Sequence, residues 1–74
     1  MAGAETQAIE IVVNGNPRRV PEGLHVAGLL AFLEIPRDRV AVELNGSIVR
    51  KPDWESSAIA EGASLEIVWF VGGG

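Results

Sequence analysis

The sequence contains no cysteine and a single histidine, His25. Without cysteine there is no disulfide framework, no thiolate metal site and no cysteine nucleophile, and one histidine does not build a zinc site by itself. No Gly-x-x-x-x-Gly-Lys-Ser/Thr loop is present to cradle a phosphate, and no nucleophile is placed by sequence beside a base. No apolar segment approaches the length of a bilayer crossing, and Met1 to Gln7 carry no basic region leading into an apolar run. Ala2 also removes the myristoylation signal. These absences predict a soluble, cytoplasmic protein with no membrane partner. The 74 residues leave room for one domain. A chain of this size buries only about 60% of its unfolded surface, so it builds one modest core and hardly a deep substrate cavity as well. A self-contained enzyme is therefore not expected. Ten acidic against six basic side chains give a formal charge of -4, which disfavours nucleic acid as a partner and suits a basic protein surface.

What is present reads as a short alternation of elements. Ile9-Glu10-Ile11-Val12-Val13 is β-branched at four of five positions and runs into Asn14-Gly15-Asn16-Pro17, a strand ending in a turn. A second strand is predicted at about Arg18 to Val20, stopped by Pro21-Glu22-Gly23. Val26, Leu29, Leu30 and Leu33 then fall at i, i+3, i+4 and i+7, one face of a helix that starts near His25 and ends before Pro36. Val40, Val42 and Leu44 alternate with Ala41 and Glu43 as in a half-buried strand, and Asn45-Gly46 signals a turn. Ile48-Val49 suggests a strand stub, and Pro52 to Ile59 a loop or single helical turn carrying Trp54, read as a lid over the core. After the Glu61-Gly62 turn, Leu65 to Val71 is the last strand. The order implies an α+β fold, a mixed sheet of four to five strands covered on one face by a single helix.

Because side chains alternate across a strand, Leu65, Ile67 and Trp69 point one way and Glu66, Val68 and Phe70 the other. One helix covers one face. The expected core face is Ile9, Ile11, Val42, Leu44, Leu65 and Ile67, which leaves Val12, Val68 and Phe70 on an open face. Apolar residues clustered there mark a partner-binding patch, with Glu43 and Glu66 as its polar rim. Scattered surface hydrophobics are the competing explanation.

The chain then runs through Val71 into Gly72-Gly73-Gly74. A glycine tail is flexible and thin, so it is able to thread a narrow channel and present its carboxylate to a partner's active site. Taken alone, the same glycines also read as a frayed end. The carboxylate is ionised near neutral pH and is a poor electrophile until activated.

Val40-Ala41-Val42-Glu43-Leu44-Asn45-Gly46-Ser47-Ile48-Val49 followed by Trp54, then Glu61-Gly62, Leu65-Glu66-Ile67-Val68 and the terminal Val71-Gly72-Gly73-Gly74, together and in this order, resemble the bacterial ThiS sulfur-carrier proteins of thiamine biosynthesis. The resemblance runs from about Ile9 to Gly74. It implies the ubiquitin-like β-grasp fold, in one domain over residues 1–74 with a disordered extension over 1–7 and a flexible tail over 72–74. It further implies that a ThiF-like adenylating enzyme, using ATP and magnesium, converts the Gly74 carboxylate to an acyl-adenylate. Sulfur from a cysteine desulfurase persulfide then gives a thiocarboxylate that serves a ThiG-like thiazole synthase. In this scheme Gly74 is the reacting residue and Gly72 and Gly73 thread the partner. Val68, Phe70 and Val71 dock against it, and the chain itself binds no cofactor and no metal.

Three features depart from the family pattern: the first eight residues are extra, His25 stands where a Thr-like helix cap is common, and Ala63 follows Gly62 where Asp is usual. Two other readings stay open. One is a carrier for molybdopterin or another sulfur-containing product, although a Pro-Pro-Val-like segment usual before that tail is replaced here by Trp69-Phe70-Val71. The other is a β-grasp interaction module that is never activated. His25 reads as a surface or capping residue, and Asn45-Gly46 as a turn alone. Arg18, Arg19, Arg37, Arg39, Arg50 and Lys51 read as solvated, with some available to acidic partner surfaces.

Overall fold

The computed structural model describes residues 7–71. The extension over 1–7, apart from Gln7, and the tail residues Gly72, Gly73 and Gly74 lie outside the described residues. Five strands, β1 (Ala8–Val13), β2 (Asn16–Pro21), β3 (Val40–Leu44), β4 (Ser47–Val49) and β5 (Ser64–Trp69), form one sheet in the order β2-β1-β5-β3-β4. β1 and β5 run parallel and every other pair is antiparallel, giving the expected mixed sheet with one helix, α1 (Val26–Phe32).

The two Asn-Gly dipeptides make the two tight hairpins. Asn14 and Gly15 have φ of 50° and 83°, Asn45 and Gly46 have φ of 52° and 88°, the left-handed pair that a two-residue hairpin turn demands. These asparagines also do something that their turn role does not require. Where β1 has turned away from β5, the Asn14 carboxamide continues the ladder: its Oδ1 accepts from the Ile67 N–H at 2.7 Å and its Nδ2 donates to the Ile67 carbonyl at 3.1 Å. On the other flank Asn45 donates its backbone N–H to the Ser64 carbonyl at 2.7 Å, and its Oδ1 accepts from the Ser64 N–H at 2.9 Å. Each hairpin thereby grips β5 with a side chain standing in for a peptide group.

Alternation along the strands builds the core as expected at Ile11, Val42, Leu65 and Ile67, all buried, while Ile9 and Leu44 are partly buried and packed against them. Val13, Val20, Val40, Ile59 and Ala63 join the core, and so does Trp54, which at 1% exposure lies inside the core rather than over it. Its indole N–H donates to the Val49 carbonyl at 2.7 Å, satisfying the one polar group that its burial would otherwise orphan. Trp69, which alternation places on the core side, is half exposed. The seven-residue helix spans only about 10 Å, whereas the six-residue β5 spans about 20 Å, so the end of the strand runs past its cover.

The helix starts at Val26, beside His25 as expected, and ends earlier than its periodicity predicts. His25 makes no side-chain cap. Instead the first two helical N–H groups, of Val26 and Ala27, donate to the carbonyls of Ser57 and Trp54 at 2.9 Å. The loop after β4 thus takes the place of an N-cap. At the other end Glu34 adopts φ of 60°, with the Glu34 N–H on the Ala31 carbonyl and the Ile35 N–H on the Leu30 carbonyl. This is the Schellman arrangement, which usually places glycine where Glu34 stands. Leu33, the last of the periodic leucines, therefore falls just past the helix and is half-buried.

Two substitutions test these assignments. Asn14→Asp keeps the acceptor but sets a carboxylate oxygen against the Ile67 carbonyl, and it should cost about 1–3 kcal/mol in urea unfolding, clearly more than Asn45→Asp, whose bonded oxygen is retained. Glu34→Gly should raise stability by about 0.5–1 kcal/mol, since glycine adopts the left-handed conformation without the side-chain clash.

Candidate functional site

The site grows out of β5. Its inward residues Leu65 and Ile67 anchor the strand in the core, and the alternate residues stand on the sheet face that the helix does not cover. There Val68 faces Ala41 across the strand pair, Glu66 faces Glu43, and Glu43 in turn faces Ile48 of β4. Beyond the strand proper the Phe70 N–H still donates to the Arg39 carbonyl at 2.8 Å, so Phe70 is fixed beside the start of β3. Val68 is 55% exposed, Phe70 60% and Ile48 71%. Val71 follows at 95% exposure, leading out of the described structure.

Phe70 forms one wall of an open groove of about 420 Å³ whose other walls are Val40, Ala41, Ile48, Val49 and Pro52, with Arg50 and Lys51 along it and Trp54 at its base. The groove is fixed by the loops around Trp54. Arg37 and Lys51 lie 5.5 Å and 5.8 Å from the Trp54 ring centroid, within cation–π range. Each is also paired with a carboxylate on the opposing loop, Arg37 with Glu55 at 3.3 Å and Lys51 with Asp38 at 3.5 Å. The loop before β3 and the loop after β4 are thereby tied to one another across the tryptophan.

Of the residues expected to meet a partner, Val68 and Phe70 share the open face, and Val71 lies just past the strand end. Gly72, Gly73 and Gly74, expected to thread a channel and carry the reacting carboxylate, lie outside the described residues. The sequence reading missed Ile48 and the groove. The register of a two-residue turn was the available signal: Asn45-Gly46 pairs Leu44 with Ser47 and Glu43 with Ile48, which puts Ile48 on the face of Glu43. Among the described residues the arrangement contains no group of three or more His, Asp or Glu side chains that could hold a metal ion. No helix among the described residues is long and apolar enough to cross a membrane. What the site offers chemically is an apolar face with charged edges, at the base of an outgoing segment.

Comparison with known proteins gives a consistent result. The ThiS family model matches residues 9–74. The crystal structure of the thiamine biosynthesis protein ThiS of Geobacter metallireducens is similar over 89% of this chain and 100% of that one, with a TM-score of 0.79 and 33% sequence identity. A thiazole synthase of Paramagnetospirillum magneticum is 39% identical over 66 residues, which are 89% of this chain and 20% of that protein. The chain therefore spans a fifth of the length of that relative. An uncharacterised protein of Porphyra purpurea is 33% identical over 66 residues and is covered over 93% of its length.

Val68→Glu should change the unfolding free energy by less than about 1 kcal/mol, because the side chain is already more than half in water. Ile67→Glu, one residue away but buried, should unfold the domain. Thermal unfolding of the two variants separates the faces of β5.

Proposed function

The chain belongs to the ThiS family, and from that premise we propose that it is a sulfur carrier of thiamine biosynthesis rather than an enzyme. The observation that carries this reading is the family match, which runs through the strand β5 and on to the terminal Gly72, Gly73 and Gly74. The absence of cysteine is in keeping with it, because a chain without a thiol holds transferable sulfur only on an acyl group.

In this reading the Gly74 carboxylate attacks the α-phosphorus of ATP in the site of a ThiF-like enzyme, which holds the magnesium ion, and pyrophosphate leaves. The carboxylate oxygen that resisted displacement now belongs to a mixed anhydride. A persulfide delivered from a cysteine desulfurase attacks the acyl carbon and AMP departs. Reduction of the resulting acyl disulfide by a thiol of the donor system leaves a thiocarboxylate on Gly74. The thiocarboxylate sulfur is a stronger nucleophile than the carboxylate oxygen, and a ThiG-like thiazole synthase takes it up to build the thiazole ring. A segment similar to this chain making up a fifth of a protein named thiazole synthase favours that recipient over molybdopterin synthesis. The protein's own contribution is mechanical. The core holds β5, Val68 and Phe70 on the open face dock together with Val71 just past the strand end, and Gly72 and Gly73, without side chains, enter a channel too narrow for other residues. The chemistry calls for a compartment that supplies ATP, and the cytoplasm is the one we propose.

Incubation with the adenylating enzyme, MgATP and a sulfur source should replace one oxygen of the protein by sulfur, read as intact mass and mapped to Gly74. A chain lacking Gly74 should remain unmodified. An unchanged mass with a demonstrably active enzyme would identify a passive interaction module instead. Removing Gly73 and Gly74 together should abolish adenylation while thermal unfolding stays within about 0.5 kcal/mol of the full chain, since the last described backbone bond is that of Phe70.

A further inference from the structure

The six cations of this acidic chain are not spread evenly. Four of them, Arg37, Arg39, Arg50 and Lys51, lie in the two short stretches that flank the end of β5, and the other two, Arg18 and Arg19, lie on β2 at the opposite edge of the sheet. Arg37 and Lys51 are engaged by Glu55 and Asp38. Arg39 and Arg50 are exposed and form no ion pair among the described residues. Both stand next to Phe70: the Arg39 carbonyl receives the Phe70 N–H, and Arg50 lines the groove that Phe70 walls. Asp53, the carboxylate of the same loop that forms no ion pair among the described residues, does not line that groove. At the opposite end of the apolar patch Glu43 and Glu66 face one another across β3 and β5, so the open face grades from negative to apolar to positive toward the outgoing segment.

We infer that Arg39 and Arg50 form a cationic collar at the exit of β5, and that it seats on carboxylates rimming the apolar opening through which the adenylating enzyme takes up the tail. The inference rests on the sulfur-carrier reading and specifies the partner surface, an apolar centre with Asp or Glu at the mouth of the channel. Charge complementarity carries it. A chain of net charge -4 is repelled on average by an acidic surface, and two arginines outside the ion pairs of the described residues, on the segments that flank the end of β5, turn that repulsion into a local attraction that orients the tail-bearing end inward. Rim charges of this kind act on the association rate and its salt dependence more than on the lifetime of the complex.

The test is stopped-flow association of the full chain with its ThiF-like enzyme, without ATP and with it, at low and high salt. Arg39→Glu/Arg50→Glu should associate about tenfold more slowly at low salt and converge on the wild type at high salt, and Arg39→Gln/Arg50→Gln should fall between. Arg18→Glu/Arg19→Glu makes the same change in net charge at the far edge and should stay within about twofold of the wild type. Equal slowing by both pairs would reduce the effect to net charge, and unaltered association in the collar variants, with unchanged thermal unfolding, would remove the collar outright. A defect appearing only with MgATP would assign the two arginines to nucleotide phosphates and overturn the carboxylate partner. Failure of the wild-type chain itself to be adenylated is a separate result, which would sink the carrier reading together with the collar.

Discussion

The parallel pairing of β1 with β5 is the interaction on which the rest of the molecule depends. It is the one contact that joins the N-terminal hairpin to the remainder of the sheet, through Val12 opposite Ser64 and Val13 opposite Leu65. Backbone pairing there is short. The Asn14 carboxamide lengthens it to Ile67, and backbone bonds from Val12 to Ala63 and from Asn14 to Leu65 complete it. With β3 on the other side, β5 is gripped along its whole length, so the segment that leaves it starts from a fixed point. The proposed carrier role calls for such a fixed base, because play at the root of a tail that enters another protein would be carried to its tip.

Most of the fold was legible from the sequence, and the residues show why. β-branched alternation at Ile9 to Val13 and at Val40 to Leu44, the Asn-Gly pairs and the leucine spacing are local signals, and they placed β1, β3, both hairpins and α1. β2 runs from Asn16 to Pro21, longer than about Arg18 to Val20, because an edge strand tolerates Pro17 and Pro21 that would break an inner one. The start of α1 near His25 was legible, but its end was not, since a left-handed glutamate closes it where glycine is usual. That cap is made by backbone conformation at one residue and leaves no mark on helix periodicity.

The candidate site was legible to the extent that alternation reaches. Val68 and Phe70 stand on the open face as their parity requires. The groove was hidden, because it is made by residues from β3, β4, the loop after β4 and Phe70, which only the sheet order brings together. Trp54 illustrates the same limit. The sequence suggests a lid, whereas the fold sinks it fully: its indole N–H holds the end of β4, and its backbone carbonyl receives the Ala27 N–H at the entry to the helix.

The position of β5, last along the chain and central in the sheet, has a kinetic consequence. The two hairpins form from contacts a few residues apart, yet the Asn14 bonds that unite them span 53 positions in sequence. Such distant pairing is slow, because a long loop must close before the contact contributes anything. Without β5 the two hairpins share no strand pairing in the sheet. The strand that completes the sheet is also the one that carries Val68 onto its open face, so core and docking surface depend on the same late, long-range pairing.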